Sequence, residues 1–315
     1  MEEKLDIVAI GECLIELSAS TSLASADCLY KYYGGDALAT AISALRLGSK
    51  VGFITKVGND AFKEFLMDSW QAEGLDISQI KLANEPNGFY FITRPVDADK
   101  EIAYYRKKIA PSKLSIDDIS EEYISGAKIL YSSGTTMSLS ISAEEAVLKA
   151  FELAKKNNIT TAFDPNFSLL CTTKENAKES FNKIVSNVDI LFMNDKYDTT
   201  YILELESAEN IIKKLWDMGV STIVIKSSLK GGYFTGYNGN IFFNEFFTKE
   251  TVDTTCSGDA FNGGFMHAIT HGCNHVEAVK LAGIVAGLQA QEIGAIKSIP
   301  YKDEVYSIMR GGCGF

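Results

Sequence analysis

Short apolar runs, bounded by polar or glycine positions, alternate with amphipathic stretches along most of the chain. Residues 7–10, 51–54, 129–131, 160–163, 190–193 and 222–225 are rich in β-branched or aromatic side chains, which suits strands buried on both faces. Between them, residues 37–47, 61–71, 143–156, 174–186 and 208–218 carry apolar positions three and four apart, the spacing of one helix face. Gly48, Gly74 and Gly219 follow three of these stretches, where helices tend to stop. Repeated strand-then-helix order predicts a mainly parallel sheet covered on both faces, in one unit spanning residues 1–315.

Two regions break that rhythm. Residues 12–35 and 88–108 have no helical period and carry Tyr30, Tyr32, Tyr33, Phe89, Tyr90, Phe91, Tyr104 and Tyr105, so they read as half-exposed strands forming a small β lid. The same aromatics also suit edge-strand packing or a contact between two copies of the chain.

Charge narrows the partners. Thirty basic residues against 41 acidic ones leave a net charge of −11, which repels nucleic acid and anionic lipid. An anionic ligand would need a few local basic groups and oriented backbone N–H groups. No run reaches the roughly 18 apolar residues of a membrane span, and the amino terminus lacks the basic start of a signal peptide. The expected setting is the cytoplasm. Cys13, Cys28, Cys171, Cys256, Cys273 and Cys313 never fall as C-x-x-C and read as thiols.

The segment with chemical promise runs from Val252 through Asp253, Thr254, Thr255, Cys256, Ser257, Gly258 and Asp259 into Ala260 and Phe261. Small residues followed by an acid at a helix start bring unpaired N–H groups and the positive end of the helix dipole beside a carboxylate. Anions bind such places, and the carboxylate can take a proton from an incoming hydroxyl. An Asp there also serves simply as a helix cap. No G-x-x-x-x-G-K-[ST] and no G-x-G-x-x-G occurs, so a P-loop or dinucleotide site is not expected. His267, His271 and His275, spaced by four, read as helix-end histidines rather than a zinc site, with Gly272 interrupting the helix. Gly311, Gly312, Cys313 and Gly314 read as a tail.

Asp253 to Phe261 resembles the D-T-T-G-A-G-D-A-F signature of the ribokinase-like, or PfkB, carbohydrate kinases. Gly34, Gly35, Asp36, Ala37 and Leu38, then Val57 to Asp60, are similar to the family's amino-terminal signature, and Gly294 to Pro300 to its carboxyl-terminal stretch. The resemblance implies a three-layer α/β/α fold with a β lid and transfer of the ATP γ-phosphoryl group to a sugar hydroxyl. Mg²⁺ would arrive with ATP and have no direct protein ligand, and K⁺ is an open option. It casts Asp259 as the base and the N–H groups of Cys256, Ser257, Gly258 and Asp259 as an anion hole. Asn194, Lys226, Ser228, Gly231 and Gly258 would border ATP, and Asp253, Thr255 and Ser298 match positions associated with the monovalent cation.

Tyr104 to Leu114 is similar to the Y-Y-R-x-x-x-A-x-S-x-L region of 2-keto-3-deoxygluconate kinases. That likeness assigns Gly34, Gly35, Asp36, Tyr90, Tyr104, Arg106, Asp164 and Asn166 to a sugar acid. The planar guanidinium of Arg106 would hold its carboxylate through two parallel hydrogen bonds. The alternative for Arg106 is a solvated strand-edge charge. A ketose kinase and a non-catalytic sugar-binding relative remain the other readings, and a homodimer through the lid is expected. The chain departs from the family pattern at Ala39, Ser168, Tyr197, Ser228 and Cys256. Cys256, at a helix start, is expected to have a lowered thiol pKa and to alkylate faster than the other thiols.

Overall fold

The computed structural model describes residues 4–94, 100–248 and 250–309. The chain runs β1 (Leu5–Ile10), β2 (Leu14–Ala19), β3 (Tyr30–Gly34), α1 (Asp36–Arg46), β4 (Val51–Gly58), α2 (Lys63–Glu73), β5 (Ile80–Ala83), β6 (Gly88–Thr93) and β7 (Glu101–Tyr105). It continues through α3 (Glu121–Ser125), β8 (Ala127–Ser133), α4 (Gly134–Met137), α5 (Ile141–Lys156), β9 (Thr160–Asp164), α6 (Lys174–Ile184), β10 (Ile190–Asn194) and α7 (Ala208–Asp217). β11 (Thr222–Ser227), β12 (Gly232–Tyr237), β13 (Asn240–Glu245), α8 (Ser257–Thr270), α9 (His275–Ala290) and α10 (Lys302–Ile308) complete it.

Nine strands form one sheet in the order β13-β12-β11-β10-β9-β8-β1-β4-β5, parallel from β11 to β5, with β12 and β13 added antiparallel at one edge. Successive side chains of β1 enter opposite layers. Ile7 and Ala9 pack with α1, α8 and α9, while Val8 and Ile10 pack with α5, α6 and α7, which makes the predicted three-layer α/β/α arrangement. Each predicted strand and helix overlaps an observed one, with bounds that differ by at most four residues.

The second sheet has the order β3-β2-β6-β7 and falls within the two strand-like regions. Tyr90 of β6 faces inward toward Glu16 of β2, while Phe89 and Phe91 face outward against Tyr105. Cys13, Cys28, Cys171 and Cys256 are free thiols. Cys273 is in a disulfide, which corrects the expectation that every cysteine is a thiol. The sequence-predicted tail at residues 311–314 lies outside the described residues. Among the described residues, no helix is long and apolar enough to cross a membrane.

Candidate active site

The helices of this fold start in two ways. Ser140, Thr173, Ser207 and Asn274 cap α5, α6, α7 and α9 with side-chain acceptors. α1 and α8 begin at Gly35 and Cys256 with no side-chain cap. Both first turns border one cavity of about 190 Å³, which leaves helix-start polarity directed at whatever fills it.

Glycines let the two helix starts meet. A Cβ on Gly263 of α8 would come within 2.3 Å of the Thr40 carbonyl oxygen, so only glycine allows α1 and α8 to approach this closely. Ser43 then donates to the Ala260 carbonyl across the junction at 2.7 Å. Gly35 adopts φ 127, and a Cβ there would lie 2.3 Å from the Glu12 carbonyl oxygen. Gly34 makes room for the Tyr90 ring.

Asp259 and Asp36 face the cavity and share one partner. The Asn166 side-chain amide donates to Asp36 Oδ2 at 3.1 Å and approaches Asp259 Oδ1 at 3.4 Å. Burial pushes the Asp259 carboxyl well above the usual carboxylate range. Asp36 and Asp164 add to the rise, and Lys226 opposes it. Such a carboxylate is poised to accept a proton. Lys226 Nζ sits below the start of α8, on Asp164 Oδ2 at 2.6 Å and Asn262 Oδ1 at 3.2 Å. Asp164 is therefore enclosed beneath the site, 1% exposed, which corrects its expected place against the sugar.

Arg106 is not an open clamp. Its Nε and an Nη reach Glu12 Oε2 at 3.1 and 2.9 Å, and the same Nη donates to the Thr135 carbonyl at 3.2 Å. Glu12 and Thr135 line the cavity and Arg106 stands behind them. Nor is Arg106 a solvated edge charge, since its side chain is 9% exposed. Burial raises Glu12 to about 7, against the pull of Arg106 and with a push from Asp36. Tyr90 and Tyr104 line the cavity, and the Tyr90 hydroxyl is held by Glu16.

The sequence profile of the pfkB family carbohydrate kinases matches residues 4–302. The chain belongs to the PfkB family of carbohydrate kinases. It is 30% identical to a 2-dehydro-3-deoxygluconokinase of Thermoproteus tenax, over 98% of this chain and 95% of that protein. It is 28% identical to a 5-dehydro-2-deoxygluconokinase of Clostridium beijerinckii, over 98% and 93%. In fold it resembles an E. coli protein described as a ribokinase II and solved with ATP and Mg²⁺, with a TM-score of 0.88, 23% identity and coverage of 97% and 99%.

In this PfkB kinase the residues expected to border ATP include Asn194 and Lys226, paired at the ends of the neighbouring strands β10 and β11. Asn194 ends β10, and its amide holds Asp198 Oδ2 at 2.7 Å. Asp195 accepts from Ser227 Oγ at 2.5 Å and from the Ser228 N–H at 3.3 Å, fixing the turn that ends at Gly231, φ 69. The Ser257 N–H donates to the Thr254 carbonyl at 3.2 Å, so it is turned away from the expected anion hole. His267 bonds Ser49 at 2.7 Å and Tyr306 at 2.7 Å, in a packing role.

Asp253, Thr255 and Ser298 do come together, around a residue that the sequence reading missed, Gln289. Glu12, Thr135, Cys171 and Asn262 were missed as well. The available hint for Glu12 was an acid directly after the apolar strand 7–10. For Gln289 it was an amide inside an otherwise apolar helix.

Cys256 has φ 75, a left-handed conformation that a Cβ disfavours. Its thiol is pushed well above the ordinary range, by burial first and then by Asp259 and Glu16. This direction is opposite to the lowered pKa expected from the helix start. Limited iodoacetamide treatment followed by mass spectrometry should modify exposed Cys28 before Cys256, and preferential Cys256 labelling would refute this ordering.

Proposed function

We propose that this kinase transfers the γ-phosphoryl group of ATP to a hydroxyl of a keto-deoxy sugar acid, 2-keto-3-deoxygluconate first among them. The observation carrying this reading is the meeting of the Asp259 carboxylate and the start of α8 in one sugar-sized cavity with Arg106 behind its wall. Gly34, Gly35, Asp36, Tyr90, Tyr104 and Asn166 hold the sugar, with its carboxylate at the Arg106 end. The hydroxyl oxygen attacks the γ-phosphorus, the bond to the β-phosphate oxygen breaks, ADP departs and the hydroxyl proton passes to Asp259.

The N–H groups of Cys256, Gly258 and Asp259, with Lys226 below them, steady the charge on the transferring group. Asn194, Ser228 and Gly231 border the nucleotide. Mg²⁺ arriving on ATP would neutralise phosphate charge, while the helix-start amides and Lys226 would hold the phosphates themselves. A cytoplasmic setting and a homodimer belong to the proposal. The outer face of the second sheet, with Leu17, Phe89, Phe91 and Tyr105, suits a second copy of the chain.

The ion pair between Glu12 and Arg106 favours a second reading, a neutral ketose, because the guanidinium already has a carboxylate. An ADP-release assay on 2-keto-3-deoxygluconate, its galactonate epimer, 5-dehydro-2-deoxygluconate, fructose and ribose decides. The acids should give the highest kcat/KM. Fructose ranking first removes the sugar-acid reading, and sugar binding without ADP release removes the kinase mechanism.

A further inference from the structure

The oxygen cage expected to take a monovalent cation already has a protein occupant. The side-chain amide nitrogen of Gln289, a fully buried residue of α9, lies 2.7 Å from the Thr255 carbonyl oxygen and 3.0 Å from that of Gly294. It is also 3.0 Å from Ser298 Oγ and 3.5 Å from the Asp253 carbonyl oxygen. Four oxygens from two chain segments, 253–255 and 294–298, thus converge on one Nε2, which has only two hydrogens to share. The opposite orientation of the amide would aim Oε1 at all four oxygens, a repulsion tolerable only with a cation between them.

Positive charge is also supplied from within. The Asp253 carboxylate takes Arg94 Nε on Oδ2 and Lys100 Nζ on Oδ1 at 3.5 Å, and Lys100 also donates to Thr255 Oγ1 at 2.7 Å. The Thr255 hydroxyl donates to Oδ1 at 2.5 Å, and the Thr255 and Gly294 N–H groups add bonds of 3.0 and 3.2 Å. A free K⁺ at the cage would have to displace the Gln289 nitrogen and sit beside two protein cations. With Nε2 in the cage the residues present do not fit the ion, and Gln289 Oε1, buried without a hydrogen-bond partner, is the atom that a reversed amide would offer to one.

We infer that Gln289, with Arg94 and Lys100, stands in for the monovalent cation, so that this PfkB kinase works and holds its fold without K⁺. The effect reaches the site through the chain itself. Thr255 is followed by Cys256, the residue that starts α8, so a donor bound to the Thr255 carbonyl positions the helix start that carries Asp259. Gln289 is in this sense a positioning residue.

The test compares potassium, sodium and tetramethylammonium chloride at one ionic strength, about 0.1 M. Wild-type Tm, kcat and KM for ATP should be the same in all three. A rise of Tm or kcat specific to potassium overturns the inference, since it would mean an ion lies between the cage and a reversed amide. Gln289→Ala opens the cage. It should lose about tenfold in kcat without potassium, the scale of one lost set of buried hydrogen bonds, and potassium should restore both kcat and Tm.

A folded Gln289→Ala enzyme with no potassium response also overturns it. Should that variant fail to fold, the wild-type series decides alone. Only the turnover measurements rest on the proposed reaction. The melting series needs no substrate, so a wrong sugar and a wrong cation inference give different results.

Discussion

Asp259→Asn is expected to lower kcat by roughly 10²- to 10⁴-fold, the usual range for loss of a general base, while raising Tm at neutral pH. The two effects share one cause. Asp259 is a carboxyl whose pKa the fold has raised by burial and by the nearby Asp36 and Asp164. The folded protein therefore holds its proton more tightly than the unfolded chain does. The contribution to stability is favourable in acid, and it is lost as pH rises through the unfolded and then the folded pKa.

Above that window the ionised group repels its neighbours, and asparagine removes the repulsion without changing shape. The Tm gain should accordingly vanish in acid. Wild-type kcat/KM should rise with pH as Asp259 ionises, a limb that the variant lacks. A variant within about tenfold of wild type in rate would exclude this carboxylate from the reaction.

Acid substrates should bind more tightly below pH 7 than above it, and Glu12→Gln should abolish that slope. Glu12 is raised to about 7, so it takes up a proton over the physiological range and frees the guanidinium of Arg106. Above that pH an ionised Glu12 competes with the substrate carboxylate. Calorimetric Kd values measured in the Asp259→Asn background keep the base's own titration out of the profile.

Glu12→Gln should tighten binding of acids at pH 8 and leave fructose unaffected. Arg106→Ala should weaken acids by roughly 10- to 100-fold, the worth of a charge-assisted hydrogen-bond pair. Pairing it with Glu12→Gln avoids leaving a buried carboxylate alone. Equal losses on acids and on fructose would show that Arg106 only supports the cavity wall.

Much of this molecule can be read from its sequence because its strands and helices obey local rules. The run at 190–193 is apolar at every position and becomes β10, buried on both sides. Residues 143–156 keep an apolar stripe and become α5 behind a serine cap. Asp259, the Gly34–Gly35 pair and Asn166 were legible because one short segment carries each of them to the cavity. What could not be read are partnerships across distance. Arg106 meets Glu12 from 94 residues away, and Lys226 meets Asp164 from 62. Both were read as contacts for ligands, yet each already has a protein carboxylate. Gln289 reaches Thr255 from 34 residues away, along a helix whose remaining pattern announces only burial. The Cys256 reading failed for a related reason. The start of its own helix was visible in the sequence, but the burial and the Glu16 carboxylate that raise its thiol were not.

The strand order has a consequence for how such an enzyme diversifies. Lys226 and Asn194 lie in the last residues of β11 and β10, and Asn166, Thr135 and Glu12 lie two residues past the ends of β9, β8 and β1, which are neighbours in the sheet in that sequence. On the proposed reading, nucleotide and sugar would be recognised at opposite ends of this row of strands, with the reacting atoms between them. A lineage can exchange one sugar for another by altering residues near β1 and β8, while the machinery that handles the nucleotide is inherited intact.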